Sequence, residues 1–276
     1  MKHDPRITPW RDGIAARSLE GVLEAEVYLD PKAMSCGAAA AAIRSAPDAN
    51  GEQMDQMLFG ERFEVLEEEG AWLFGQAARD GYVGFVEAAA MQPAGPLPTH
   101  RVAAIRTYAF AEASIKSRAR GPYSINSLVA VEAVEGHLAK VTGAGWMTAA
   151  HLAPIGTSED DWAAVAERFL GAPYLWGGRE SLGVDCSGLV QQALFACGRA
   201  CPRDADQQEV LGTAIEAADF GRGDLVFWKG HVAIGLGDGR IVHANGHHMA
   251  TAIEPLSEAI ERIAASGSKP TAYRRV

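Results

Sequence analysis

Three side chains in the C-terminal part of the sequence have the types and settings that acyl-transfer chemistry needs: Cys186, His231 and His243. Cys186 stands in YLWGGRESLGVDCSG, residues 174–188, where a glycine-rich loop runs into a helical pattern. A thiol at a helix N-terminus meets the positive end of the dipole and a set of unpaired N–H groups, which favours the thiolate. The same N–H groups can donate to a developing oxyanion. A thiolate nucleophile also needs a base, and the base needs an orienting group. His231 opens HVAIGLG and His243 sits in IVHANG, both segments of strand character. Strand alternation puts Val232 and Ile234 on one side and His231 on the other, and turns Val242 and Ala244 away from His243. If the two strands pair, both imidazoles share a face, in the order nucleophile Cys186, base His231, orienter His243. Asn245, two residues on, falls on the same face as His243 and competes for the orienting role.

The remaining reactive types read as structural. Cys36, Cys197 and Cys201 are expected to pack as small hydrophobes. His247 and His248, in a glycine-bounded loop, are expected to face solvent. A zinc site from these two histidines with Cys197 and Cys201 is the weaker reading, because Cys-x₃-Cys is not a strong metal spacing. Arg203-Asp204 reads as a salt bridge rather than a substrate-facing pair.

The elements that must position these residues are legible in outline. Ser158 is the expected cap of a helix in which Trp162, Val165, Phe169 and Leu170 recur up to Gly171. A second helix is predicted over 186–196, with Leu189, Val190, Ala193 and Leu194 inward and Gly198 as its stop. Strands follow at 224–228, 231–235, 240–244 and 271–276, which makes this region α+β. Upstream, short apolar runs at 56–59, 62–66, 71–74 and 84–86 lie between turn signals and suit a small barrel. A weaker echo at 126–132, 137–142 and 145–147 suggests a second copy. Residues 91–100, with three prolines, read as a linker. The expected domains are 1–93, 98–155 and 157–276.

Taken together, the blocks Pro173–Gly178, Asp185–Val190, Pro202–Asp204 with Gln207, Gly223–Trp228, His231–Gly235 and Val242–Ala244 resemble the NlpC/p60 family of papain-like cysteine peptidases. The upstream modules are similar to the bacterial SH3-like domains that accompany that catalytic domain, most closely in the branch that recycles cell-wall peptides. The resemblance implies an α+β fold, a papain-like domain preceded by two small SH3-like β-barrels. It also implies that Cys186 attacks a γ-D-glutamyl–diamino acid bond, that His231 activates the thiol, and that His243 orients His231. Tyr174 matches a tyrosine near the nucleophile. Asp185 and Ser187 match positions that hold the free α-amine of an N-terminal L-Ala, and Tyr82 and Glu52 match residues of the first SH3-like domain that narrow the site.

The 276-residue chain carries 25 Lys+Arg against 35 Asp+Glu, a formal net charge of −10, which argues against nucleic acid or an anionic membrane as partner. Its four cysteines are too few and too scattered for a disulfide framework. The first thirty residues hold no apolar run like a signal-peptide core, and GAAAAAI at 37–43 is too short to span a bilayer, so the expected location is cytoplasmic. No cofactor is implied, since thiolate acyl transfer needs none. The expected partner is a small murein peptide. An inactive wall-binding module, or an amidase or acyltransferase using the same thiolate, are the competing readings.

Overall fold

The structure is a computed structural model and describes residues 3–276. The chain divides into two compact units, Met1–Ile155 and Gly156–Val276.

The first unit is built mostly from antiparallel β-structure, with one parallel pair, Ile14–Ala16 beside Val27–Leu29. A seven-stranded sheet contains Lys32–Cys36, Ala40–Arg44, Gln53–Leu58, Arg62–Glu69, Trp72–Ala77, Val83–Glu87 and Met91–Pro93. Alternation sets its core: Ile43, Met57, Phe63, Val65 and Val86 point inward with Cys36. The alanine-rich run near 40 is therefore a strand with every second side chain buried, a placement its composition hides. The expected linker is shorter than its prolines suggest, because Met91–Pro93 pairs with Lys32–Cys36 and His100–Val102 pairs with two further strands. Pro93 sits at the end of an edge strand, where its missing N–H costs no ladder bond.

The second half of this unit holds a five-stranded and a three-stranded sheet. The strand expected over 126–132 is broken, with Asn126 at φ +67° and separate strands Leu128–Val129 and Val131–Glu135. Phe59, just past the strand Gln53–Leu58, packs edge-to-face on Tyr123 at 5.1 Å, so the two halves share a core with Val102, Ala109 and Met147. Gly60 allows this approach: its φ is +79°, and a Cβ there would fall 1.9 Å from the Leu128 carbonyl oxygen.

The second unit is α+β. Its helices are α1 (Trp162–Glu167), α2 (Cys186–Ala196), α3 (Ala205–Gln208) and α4 (Leu256–Ala265). Its main strands are β1 (Thr213–Ala214), β2 (Asp224–Trp228), β3 (His231–Gly235), β4 (Arg240–Asn245), β5 (Ala250–Pro255) and β6 (Ala272–Arg275), in the antiparallel order β1-β6-β2-β3-β4-β5. The cap of α1 is Asp161, whose side chain accepts from the Ala164 N–H, rather than Ser158; several polar residues precede this helix, and the one adjacent to it wins. Helix α2 spans 186–196 and is buried along its whole length against β3 and β4. Helix α4 lays Leu256, Ile260 and Ile263 over Val226, Trp228, Ala233 and Ile241. Among the described residues no helix is long and apolar enough to cross a membrane.

Candidate active site

The N-terminus of α2 is fixed by Asp185, whose carboxylate accepts from the Gly188 N–H at 2.7 Å and the Gly177 N–H at 2.8 Å. The glycines let the loop fold against the helix start, since a Cβ on Gly188 would fall 2.2 Å from the Gly178 carbonyl oxygen. Arg203, fully buried, donates to both carboxylate oxygens of Asp185 at 3.0 and 2.6 Å and to Ser187 Oγ at 2.8 Å. Arg203 forms an ion pair with Asp185, and Asp204 makes a capping box with Gln207 on α3. The Asp185 carboxylate, expected to clamp a substrate amine, accepts here from a guanidinium and two N–H groups.

Cys186 is the first residue of α2, and its sulfur takes hydrogen bonds from the backbone N–H groups of Ser187 and Val232. Val232 follows His231 on β3, so the strand that carries the base is the one that touches the thiol. Those two N–H groups do not decide the thiol's acidity. Burial, followed by the charge of Asp185, pushes it up to about 12, so the resting nucleophile is a neutral thiol. The helix dipole that the sequence displays is outweighed by desolvation that it does not. Tyr174 is half-buried beside this group; burial and the charges of Cys186 and Asp185 push its hydroxyl up, so it stays a proton donor.

The two histidines meet. His231 Nε2 lies 2.9 Å from His243 Nδ1, and His243 Nε2 lies 2.7 Å from Glu254 Oε1. Register explains the contact: β4 pairs β5 with His243 opposite Ala252, which places Glu254 two residues on along the same face. Arg262 on α4 forms an ion pair with the same carboxylate. A carboxylate only accepts, so His243 Nε2 carries a proton and donates it to Glu254. His243 Nδ1 is then a bare acceptor, filled by the Nε2–H of His231, and His231 is left with a free lone pair on Nδ1. One acid thus sets both tautomers and leaves His231 poised as a base. Burial, His243 and Arg262 push His231 down to about 3, and burial and Arg262 do the same for His243, so both rings are neutral near pH 7.

The other expected residues fall as follows. Asn245 Oδ1 accepts from the backbone N–H of His248 and faces its ring nitrogen at 3.0 Å, and Asn245 Nδ2 donates to the His243 carbonyl at 3.4 Å, while His243 takes the place beside the His231 ring. Tyr82 is buried in the core of the first unit, and Glu52 is an exposed residue ahead of the strand Gln53–Leu58. Among the described residues, His243, His248 and Glu254 are the group close enough to hold a metal ion, and Cys197 and Cys201 do not join them. Two of those three ligand atoms already hydrogen-bond each other and Arg262 balances the carboxylate, so the cluster is a relay. Glu254 and Arg262 are the functional residues that the sequence reading misses. The alternation of ATAIEP at 250–255 and the periodicity of LSEAIERIAA at 256–265 are the signals that mark their elements.

Residues 171–264 match the NlpC/P60 family and residues 43–91 match the bacterial dipeptidyl-peptidase Sh3 domain. The gamma-D-glutamyl-L-lysine dipeptidyl-peptidase of Bacillus subtilis (strain 168) is 31% identical over 227 residues, covering 74% of this chain and 76% of the relative. The chain belongs to the NlpC/P60 family. A protein of the same name from Bacillus cereus is 35% identical over 106 residues, 36% of this chain and 32% of that protein. The crystal structure of an NlpC/P60 family protein from Bacillus cereus superposes with a TM-score of 0.76 at 21% identity, covering 88% of this chain and 99% of that one, which shows the shared fold. The fold is therefore the papain-like NlpC/P60 arrangement with an SH3-like domain ahead of it. Within this family the chain is a peptidase, a hydrolase whose cysteine type the family implies.

Proposed function

We propose that this NlpC/P60 chain is a cysteine endopeptidase that hydrolyses the γ-D-glutamyl–diamino acid bond of short murein peptides with a free N-terminal L-Ala. The observation that carries the reading is the relay Glu254–His243–His231, which ends on the strand whose next N–H touches the Cys186 sulfur. His231 Nδ1 takes the thiol proton as the Sγ–carbon bond forms, and the Ser187 N–H and the Tyr174 hydroxyl serve as donors to the developing oxyanion. The proton then passes from His231 to the leaving nitrogen as the carbon–nitrogen bond breaks. Water, deprotonated by the same Nδ1, hydrolyses the thioester and restores the thiol. The substrate class follows the Bacillus subtilis relative, similar over three quarters of both chains. The net charge of −10 supports a small soluble peptide over the anionic wall polymer, and with it a place in cytoplasmic recycling of murein fragments.

The test is product analysis. The purified protein is expected to convert L-Ala-γ-D-Glu-L-Lys to L-Ala-D-Glu and L-Lys and to leave intact sacculi uncut. Release of soluble peptides from sacculi, with the tripeptide untouched, defeats the recycling reading.

A further inference from the structure

His231 belongs to a second feature. It forms part of the wall of a cavity of about 230 Å³ whose other lining groups include Trp228, Lys229, His247, Arg262 and Ser268. Lys229 is exposed in the turn between β2 and β3, two residues before His231, and among the described residues it has neither an ion pair nor a hydrogen bond. Arg262, which lines it as well, is held by Glu254. The end of α4 also lines this cavity, and carbonyls there would favour a cation. They are occupied: Ile263 O accepts from the Ser266 Oγ and N–H, and Ala264 O accepts from the Gly267 N–H. The uncompensated charge at the cavity is therefore the Lys229 ammonium, in a protein that is acidic overall.

We infer that this cavity is the leaving-group subsite and that Lys229 receives the free α-carboxylate of the diamino acid. The inference rests on the proposed reaction and deepens it. His231 must protonate the leaving nitrogen, and the α-carboxylate is two bonds from that nitrogen. A group that binds the carboxylate must therefore lie beside His231 on the side away from the acyl chain. Lys229 lines the same cavity as His231 and is the cation there with no partner among the described residues. A peptide whose diamino acid continues into a further residue replaces this carboxylate with a neutral amide and leaves Lys229 unanswered. The subsite thus selects peptides that end at the diamino acid.

The experiment compares L-Ala-γ-D-Glu-L-Lys with its C-terminal carboxamide, which keeps the scissile bond and removes only the charge. The acid is expected to be favoured in kcat/KM by about tenfold, the scale of one charge-assisted hydrogen bond, chiefly through KM. Lys229→Met should bring that ratio close to one, and Lys229→Arg should keep most of it. Equal hydrolysis of both peptides by the unmodified protein, or a ratio unchanged in Lys229→Met, overturns the subsite while leaving the proposed reaction standing. Hydrolysis of neither peptide defeats the proposed reaction and the subsite with it.

Discussion

His231 Nε2 stands 2.9 Å from His243 Nδ1, and the direction of that one hydrogen bond decides which nitrogen of His231 is free to act on the thiol. The direction is set one residue further along, where the Glu254 carboxylate can only accept. Glu254→Gln is close in shape but offers an NH₂ group, which can donate to His243 Nε2 and reverse both bonds. The expected result is a fall in kcat of about 100-fold or more at a little-changed KM, the signature of a base held in the wrong tautomer. Nitrogen chemical shifts of the two imidazoles should report the reversal. A variant with normal kcat and unshifted imidazole nitrogens would remove Glu254 from the relay.

The buried imidazoles also make stability depend on pH in a defined window. Both are held near 3 in the fold, whereas an unfolded histidine titrates near 6.5. Below about pH 6.5 the unfolded chain binds more protons than the folded one, so this stability is fully present above pH 6.5 and is lost as pH falls towards 3. Thermal midpoints measured from pH 7 down to pH 4 should drop, and His243→Asn should flatten the slope. A midpoint that rises on acidification contradicts the assignment.

The thiol gives a third expectation. With Cys186 pushed up to about 12 by burial and Asp185, alkylation by iodoacetamide should keep climbing with pH through 9 and beyond. A rate that levels off near pH 6 would mean a standing thiolate and would contradict the neutral ground state.

Arg203 and Asp185 provide a fourth. Their ion pair is buried on both sides, so Arg203→Ala leaves a buried carboxylate with two N–H donors and no counter-charge. The expected cost is about 3–5 kcal/mol in denaturant unfolding of the second unit. A loss under about 1 kcal/mol would show that solvent reaches the pair.

How much of this is legible in the sequence depends on the range of the interaction. Helix α2 and strands β2, β3 and β4 are written locally, in caps, glycines and alternation, and the pairing of His231 with His243 follows from placing both on one face. Glu254 is not written locally. Its tie to His243 passes through the register of β4 on β5, and its tie to Arg262 through the packing of α4. The same holds for Arg203, whose partner lies eighteen residues away while a carboxylate stands next to it in sequence. The thiol is the clearest case: its place at a helix N-terminus is visible in the residues, and the burial that overrides the dipole is a property of the folded unit.

The central claim is that Cys186 forms the bond to the substrate carbonyl with His231 as its base. Steady-state hydrolysis of L-Ala-γ-D-Glu-L-Lys by the unmodified protein and by Cys186→Ala, with matched circular dichroism spectra, tests it most directly. The account predicts release of L-Lys by the first and none above background by the second. Comparable turnover in Cys186→Ala would contradict it.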